Sequence, residues 1–235
     1  MSISIAMAVF NGEKYIKEQI SSILNQLDKN DEIVISYDPC SDNTYKIISK
    51  LSASDNRIKI INGPGNGIIK NFENAFLHCK NEYIFLCDQD DIWLDNKVST
   101  VVNAFKATRA DVIIHDCIVI NQENKVISNS FFDMRHCKSG FLYNIIHNSY
   151  IGCCMAVRRE FLMHNILPFP KNIPMHDQWI GLVAEKIGKV EFINIPLLKY
   201  RRHVNNSTGL NHSSLFNMIK FRLNLIIALL KINKR

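Results

Sequence analysis

The sequence has few of the features that mark disulfide-stabilised, membrane-spanning or nucleic-acid-binding proteins. Its seven cysteines form no Cys-x-x-Cys pair, and the odd count without a leader peptide predicts reduced thiols in the cytoplasm. No apolar stretch reaches the roughly 18 residues that a membrane span needs. The net charge of +6, from 28 basic and 22 acidic residues, is too small to indicate nucleic acid as a partner.

The composition is that of one ordinary globular domain. Of the 235 residues, 47% are hydrophobic and 21% are charged, which excludes disordered, collagen-like and coiled-coil proteins. The sequence also lacks an internal repeat and a low-complexity linker. This length predicts a single large α/β domain.

The first 90 residues alternate between strand and helix patterns. Short apolar runs predict four strands, and helical spacing of apolar residues such as Ile16, Ile20 and Ile23 predicts the helices between them. The predicted strands are 2–9, 32–36, 57–61 and 83–87. This order is typical of a mostly parallel, Rossmann-like sheet flanked by helices, with right-handed crossovers.

Ligands of such sheets bind beyond the carboxyl ends of the strands, so the loops there are expected to meet at one edge. These loops are 10–12, 37–42, 62–67 and 88–91. The second half is less regular, and its patterns predict strands at 111–120, 152–158 and within 190–203, and helices at 139–147 and 176–187.

The sharpest local feature is the acidic segment Asp88-Gln89-Asp90-Asp91 directly after the fourth predicted strand. Packed carboxylates repel one another and are costly to desolvate unless a cation joins them. Mg²⁺ and Mn²⁺ prefer such oxygen ligands and often keep phosphates as further ligands. The alternative is a solvated turn in which Asp91 or Asp95 caps the next helix.

Four segments in this order resemble family-two glycosyltransferases, and most of all their rhamnosyltransferase-like branch in bacterial polysaccharide synthesis. They are 9–16 (VFNGEKYI), 38–44 (DPCSDNT), 88–93 (DQDDIW) and 176–179 (HDQW). The resemblance covers about residues 2–209. It implies a single A-type nucleotide-sugar domain over 1–209, with a nucleotide-sugar half at about 1–110 and an acceptor half at 111–209.

The resemblance also implies a nucleotide-binding set, which is Phe10, Asn11, Asp38, Gly67, Asn71 and Asp88. Asp38 would accept the N3–H of uracil or thymine, which favours a UDP or dTDP donor. The sequence departs from the family at Val9 and Phe10, where Thr-Tyr is usual, and at Tyr37 and Pro39, where the loop normally reads Asp-Asp-Gly-Ser.

A further set is implied around the diphosphate. Asp90 would bind Mn²⁺ or Mg²⁺, and His203, in a segment that resembles Tyr-Arg-x-His, would be a second ligand. Arg201 or Arg202 would clamp the diphosphate, and spacing alone does not separate the two. A histidine here could equally be an ordinary surface or core residue.

The resemblance makes Asp177 the catalytic base of an inverting transfer, since a carboxylate must take the proton of the attacking hydroxyl. The alternative is that Asp177 caps the helix that follows it, and both roles are compatible. Asp91, Asp116 and Trp179 are weaker expectations for the acceptor side.

The segment 215–235 holds five basic residues, no acidic residue, and an apolar stripe from Phe216 to Leu230, so it carries most of the net charge. Residues 210–235 are predicted to form an amphipathic helix that lies on anionic lipid, which would place the protein peripherally on the inner face of the bacterial inner membrane. The alternative is packing on the domain or on a second copy in a homodimer. If the membrane prediction is right, deletion of 215–235 moves the protein to the soluble fraction.

The leading hypothesis is a metal-dependent inverting hexosyltransferase in O-antigen or capsule synthesis. It would use UDP-galactose or UDP-glucose, or else dTDP-rhamnose, and a saccharide on a polyprenyl diphosphate as acceptor. One alternative is a sugar nucleotidyltransferase, although 9–14 has a single glycine where that class needs a glycine-rich loop. The other is a non-catalytic carbohydrate-binding relative.

Overall fold

The first half of the chain folds as the sequence pattern predicts. The computed structural model describes residues 2–202 and 215–232. Its first elements alternate as β1 (Ile3–Val9), α1 (Ile16–Leu24), β2 (Glu32–Tyr37), α2 (Thr44–Ser54), β3 (Ile58–Asn62), α3 (Ile68–His78) and β4 (Tyr83–Cys87). β3, β2, β1 and β4 lie side by side in this order and are all parallel.

The second half extends the same sheet. Its elements are β5 (Ile92–Trp93), α4 (Lys97–Thr108), β6 (Val112–Ile120), β7 (Val126–Ser128), α5 (Phe131–Arg135), α6 (Phe141–His147), a 3-10 turn (Gly152–Cys154), β8 (Met155–Arg158), α7 (Arg159–Phe161), a π-helical turn (Leu162–Ile166), α8 (His176–Ile187), β9 (Val190–Arg201) and α9 (Leu215–Leu230). Among the described strands the sheet order is β3-β2-β1-β4-β8-β6-β9-β5, with β7 on β6.

The α/β class is confirmed, but the sheet is parallel only in part. β8 runs antiparallel between β4 and β6, and β5 and β7 are also antiparallel to their neighbours. β6 and β9 restore a parallel pair. The first half is parallel because each strand is joined to the next by a crossover helix, whereas β8 enters from a 3-10 turn and runs in the opposite direction.

Two apolar layers cover the faces of this sheet. Alternate residues of β1 point to opposite sides, so Ile5 and Met7 pack with α1, while Ala6 packs with Phe72 of α3. Helix α8 completes the second layer with Trp179 and Ile180. Burial of each such large side chain stabilises the fold by about 1.5–3 kcal/mol. The helices are therefore fixed on the sheet and leave its loop edge open.

Helix α9 packs on the domain through one face and exposes another. Leu225 and Leu229 are buried in the layer that α8 forms. The Lys186 ammonium donates to the carbonyls of Leu229 (2.6 Å) and Ile232 (2.8 Å) and so caps the end of α9. On the other face, large apolar side chains are exposed, namely Leu223, Ile227 and Leu230. Within the described ranges, no helix has the length and apolarity needed to cross a bilayer.

Candidate active site

A cavity of about 870 Å³ lies at the loop edge of the sheet, where the carboxyl ends of β1, β2 and β4 meet. Eight residues predicted from the sequence line it, which are Phe10, Asn11, Asp38, Gly67, Asn71, Asp88, Asp90 and Asp177. The opposite wall comes from the second half of the chain, with Ile151, Gly152, Met175, His176 and Tyr200. The predicted meeting of the loops is thus observed.

Gln89 joins the loop after β1 to the acidic loop. The Phe10 backbone N–H donates to Gln89 Oε1 (3.0 Å), and Gln89 Nε2 donates to the Phe10 carbonyl (2.8 Å). These two bonds fix the Phe10 backbone, and its exposed ring borders the cavity. Sequence reasoning assigned Gln89 no role, and its place between two aspartates was the only signal.

Asp38 and Asn71 bring acceptor oxygens to one end of the cavity. The Gly65 backbone N–H donates to Asp38 Oδ1 at 2.7 Å, and Asn71 Oδ1 is buried without a partner in the part of the chain that is described. A Cβ on Gly63 would lie 2.3 Å from Asp38 Oδ1 and 2.9 Å from Asn71 Oδ1, so only glycine fits there. Both oxygens therefore lie against the backbone of Gly63, and Asp38 and Asn71 both line the cavity.

The acidic loop carries closely spaced carboxylates. Burial first, and then the charges of Asp91 and Asp90, hold the pKa of Asp88 well above its usual range. Burial and the charge of Asp90 likewise raise the pKa of Asp91 to about 7. Such carboxylates fit a cation, because a positive charge among them removes the repulsion that raises these pKa values.

The position of each carboxylate relative to the cavity decides which of them suit a metal. Asp88, Asp91 and Cys153 have potential ligand atoms within 4.8 Å of one another. However, a buried thiol is a poor ligand for Mg²⁺ or Mn²⁺, and Asp91 does not line the cavity. Asp88 and Asp90 do line it, so these two carboxylates are the ones that fit a hard divalent ion in contact with a diphosphate. His203 lies outside the described residues.

Arg201 supports the acidic loop from behind, which corrects its expected role as a diphosphate clamp. Its side chain is 1% exposed and does not line the cavity. Its guanidinium donates to the Asp90 carbonyl (2.8 Å), to Glu18 Oε2 (2.9 Å) and to Asn124 Oδ1. Its backbone N–H donates to Asp91 Oδ1 (2.9 Å).

The cavity contains another basic side chain instead. Arg202 is exposed and is not part of the lining. Among the described residues that do line the cavity, Lys14 is the one with a basic side chain. Sequence reasoning did not select it, because one lysine in a polar loop carries no signal of its own.

The three expected acceptor-side residues face the protein interior, so the structure corrects that expectation too. Asp91 Oδ1 accepts a hydrogen bond from the backbone N–H of Arg201. Asp116 Oδ1 accepts backbone N–H groups of Cys117, Phe131 and Phe132 at 2.7–2.9 Å. Trp179 is buried and its Nε1–H donates to the Ile166 carbonyl. None of the three lines the cavity.

Asp177 lies in the first turn of α8, with its carboxylate on the cavity. Its Oδ1 accepts the backbone N–H of Gln178 (2.6 Å), and its Oδ2 accepts that of Gly152 (3.1 Å). Burial raises the pKa of Asp177 to about 6, although these two hydrogen bonds act in the opposite direction. The residue stabilises the helix start and also presents a carboxylate that takes up a proton near neutral pH.

A buried ammonium group, that of Lys97, lies close to the acidic loop. Lys97 is fully buried, and its Nζ donates to the Cys153 carbonyl (2.7 Å) and lies 4.0 Å from the centroid of the Trp93 ring. Its charge acts to lower the pKa values of Asp88 and Asp91. Lys97 therefore offsets part of the negative charge of the acidic loop.

The comparison with known families agrees with this geometry. The sequence profile described as Glycosyl transferase family 2 matches residues 4–165. The chain belongs to this family. It is accordingly a glycosyltransferase with the A-type fold, and its acidic loop after a central strand faces the cavity.

Two relatives cover most of the chain. The dTDP-rhamnosyl transferase RfbG of Shigella flexneri is 29% identical over 88% of this chain and 75% of its own length. The UDP-Glc:alpha-D-GlcNAc-diphosphoundecaprenol beta-1,3-glucosyltransferase WfgD of Escherichia coli is 29% identical over 85% of this chain and 76% of its own length.

A solved structure has the same fold. The crystal structure of TarS 1–349 from Staphylococcus aureus in complex with UDP-GlcNAc superposes with a TM-score of 0.75. It is 18% identical and covers all of this chain, which corresponds to 68% of the TarS chain.

Proposed function

We propose that this glycosyltransferase is an inverting, divalent-metal-dependent enzyme that moves a hexosyl residue from a UDP-sugar to a saccharide on a lipid diphosphate. The observation that carries the proposal is that Asp38 and Asn71, the Asp88–Asp90 pair and Asp177 all line one cavity. A base-binding end, a diphosphate site and a proton acceptor are the three parts that such a transfer requires.

The nucleotide preference rests on Asp38. Asp38 is buried and lines the cavity, and a carboxylate oxygen suits the N3–H of uracil or thymine. UDP-glucose and UDP-galactose are the favoured donors, and dTDP-rhamnose is the second candidate. The relative WfgD, whose name specifies UDP-Glc and a diphosphoundecaprenol-linked sugar, supports the UDP-hexose and the lipid-linked acceptor.

Asp177 performs the proton transfer in this mechanism. Its carboxylate accepts the proton of the acceptor hydroxyl while that oxygen attacks the anomeric carbon from the face opposite the diphosphate. The carbon–oxygen bond to the diphosphate breaks, UDP leaves, and the configuration inverts. The backbone N–H groups of Gly152 and Gln178 hold the carboxylate in position.

Asp88 and Asp90, which line the cavity, would hold Mn²⁺ or Mg²⁺ together with His203, the ligand that the sequence pairs with Asp90. A bound ion neutralises charge that develops on the departing diphosphate, so UDP needs no general acid. Arg201 keeps the loop in place through the Asp90 carbonyl and the Asp91 carboxylate.

A donor screen tests the proposal directly. The purified chain is incubated with MnCl₂, a synthetic GlcNAc-diphosphate-lipid acceptor, and UDP-glucose, UDP-galactose or dTDP-rhamnose in turn. We expect a disaccharide of inverted anomeric configuration from a UDP-hexose, and its formation should stop in EDTA. A retained configuration would contradict the mechanism. Activity with a sugar phosphate and a nucleoside triphosphate would indicate a nucleotidyltransferase, and binding without turnover would indicate a non-catalytic relative.

The acceptor lipid implies that the enzyme works on the cytoplasmic face of the membrane, and the exposed face of α9 provides a means of attachment. Leu223, Ile227 and Leu230 lie on that face and are flanked by Arg222 and Lys231. Apolar side chains beside basic ones bind the surface of an anionic bilayer. Substitution of these three residues is a sharper test than deletion of 215–235, because Leu225 and Leu229 belong to the core.

The triple variant Leu223→Gln, Ile227→Gln, Leu230→Gln should reduce the fraction that floats with phosphatidylglycerol vesicles by about tenfold, because it removes the inserted apolar area. A matched control, Val126→Gln with Ile127→Gln, changes apolar residues of similar exposure on β7 and should float like the wild type. Equal flotation of the triple variant and the wild type would refute membrane attachment through α9.

A further inference from the structure

His176, the first residue of α8, is a buried histidine on the wall of the cavity. It is 2% exposed, and neither ring nitrogen has a hydrogen-bond partner among the described residues. An unsatisfied buried polar group costs about 1–3 kcal/mol, so it is rarely kept without a partner. The catalytic steps proposed above do not use this side chain.

The ring, on the wall of the cavity, packs against two aromatic side chains. It stacks on Phe72 with 4.1 Å between centroids and 26° between planes, and Phe169 flanks it at 6.4 Å. Phe72 follows Asn71 on α3, which lines the nucleoside end, whereas Asp177 follows His176 on α8. His176 thus packs on the helix that carries Asn71 and directly precedes the catalytic base Asp177.

Gly152 lies against both the imidazole of His176 and the carboxylate of Asp177. A Cβ at this position would lie 3.2 Å from His176 Nε2 and 3.9 Å from Asp177 Oδ2. Both atoms thus border the same small volume on the cavity wall. A side chain at 152 would fill that volume.

The chemistry of the ring limits what can bind there. Burial lowers the pKa of His176 to about 3, so the imidazole is neutral and offers one N–H donor and one acceptor nitrogen. A hydroxyl group also donates and accepts one bond each, and it carries no charge that would need compensation. The anomeric carbon of a bound donor must face Asp177, so the transferred sugar is the part of the donor that comes next to His176.

We propose that His176 binds a hydroxyl group of the transferred hexosyl unit and so helps to select the donor sugar. This inference rests on the proposed function, since it requires a nucleotide-hexose in the cavity. It adds a sugar-recognition residue that is distinct from the nucleotide, metal and base residues. Because the ring nitrogens are shielded from water, they form hydrogen bonds only when the bound sugar places a hydroxyl group next to them.

The test is calorimetric binding of UDP and UDP-glucose, with MnCl₂ present, to the wild type and to His176→Phe. Phenylalanine keeps the stacking on Phe72 and removes both nitrogens, so the fold should be retained. We expect the affinity for UDP-glucose to fall about tenfold, as the loss of one buried hydrogen bond implies, while the affinity for UDP stays within about twofold. Gly152→Ala should give the same selective loss, because its methyl group fills the space beside Nε2.

A series of monodeoxy-UDP-glucose analogues identifies the hydroxyl. For one analogue, the affinity of the wild type should be lower than its affinity for UDP-glucose by the same factor that His176→Phe loses for UDP-glucose. The His176→Phe variant should bind this analogue and UDP-glucose with equal affinity. If His176→Phe changed the affinities for UDP and UDP-glucose equally, or changed neither, the role of His176 would be overturned. The proposed function would remain. Failure of the wild type to bind any UDP compound would overturn the proposed function and this inference with it.

Discussion

Asp177→Asn is expected to reduce kcat for glycosyl transfer by about 10²–10⁴-fold, because an amide cannot accept the proton of the attacking hydroxyl. The side chain keeps its size and at least one of its bonds to the backbone of Gly152 and Gln178. Binding of UDP-glucose should therefore stay within about threefold of the wild type. Initial rates with saturating donor and acceptor, together with a binding titration, measure the two effects separately.

Asp116→Asn is the matched control for this experiment. Asp116 is also a buried carboxylate that accepts backbone N–H groups, but it does not line the cavity. Its substitution should lower thermal stability and leave kcat of the folded enzyme near the wild-type value. If Asp177→Asn kept more than about a tenth of wild-type kcat, another group would have to be the base.

The pH dependence of the wild type follows from the same carboxyl group. Because burial raises the pKa of Asp177 to about 6, the base is ionised above that pH and protonated below it. At saturating Mn²⁺, kcat/KM should thus rise with pH through about 6 and then level off. The residual rate of Asp177→Asn should not show this rise.

Asp90→Asn should reduce kcat/KM by about 10²–10³-fold, because it removes a charged oxygen ligand where the diphosphate develops charge. Asp90 lines the cavity, and Arg201 fixes its backbone carbonyl. The loss should appear as weaker Mn²⁺ binding in the presence of UDP, which spectroscopic titration of Mn²⁺ reports independently of activity.

Asp95→Asn is the control here, since Asp95 follows the same loop but is exposed and does not line the cavity. It should bind Mn²⁺ and turn over like the wild type. Unchanged Mn²⁺ affinity in Asp90→Asn, with transfer still sensitive to EDTA, would mean that the ion is held elsewhere.

The two arginines show where sequence reasoning reaches its limit. Arg201 and Arg202 are neighbours, so one pattern suggests both for the diphosphate. Along β9, successive side chains point to opposite faces. The pairing of β9 with β5 and β6 turns Arg201 inward, behind the acidic loop, and leaves Arg202 exposed.

The terminal helix gives a similar lesson. Its apolar spacing predicts a stripe without saying what the stripe touches. In the structure Leu225 and Leu229 pack against the layer of α8, while Leu223, Ile227 and Leu230 remain outside. Packing on the domain and an exposed apolar face therefore occur in one helix.

Local sequence pattern was sufficient to predict the parallel first half of the sheet, the acidic loop after β4 and the aspartate at the start of α8. These features depend on local periodicity and on which residues follow a strand or begin a helix. Which carboxylates serve the cavity depends on contacts between segments that are far apart in the chain. Asp88, Asp90 and Asp177 line it, whereas Asp91 and Asp116 accept backbone hydrogen bonds from other segments. The physical reason is that a buried carboxylate needs a hydrogen-bond donor or a cation as a partner, and that partner determines its role. These partners come from segments that are distant in the chain.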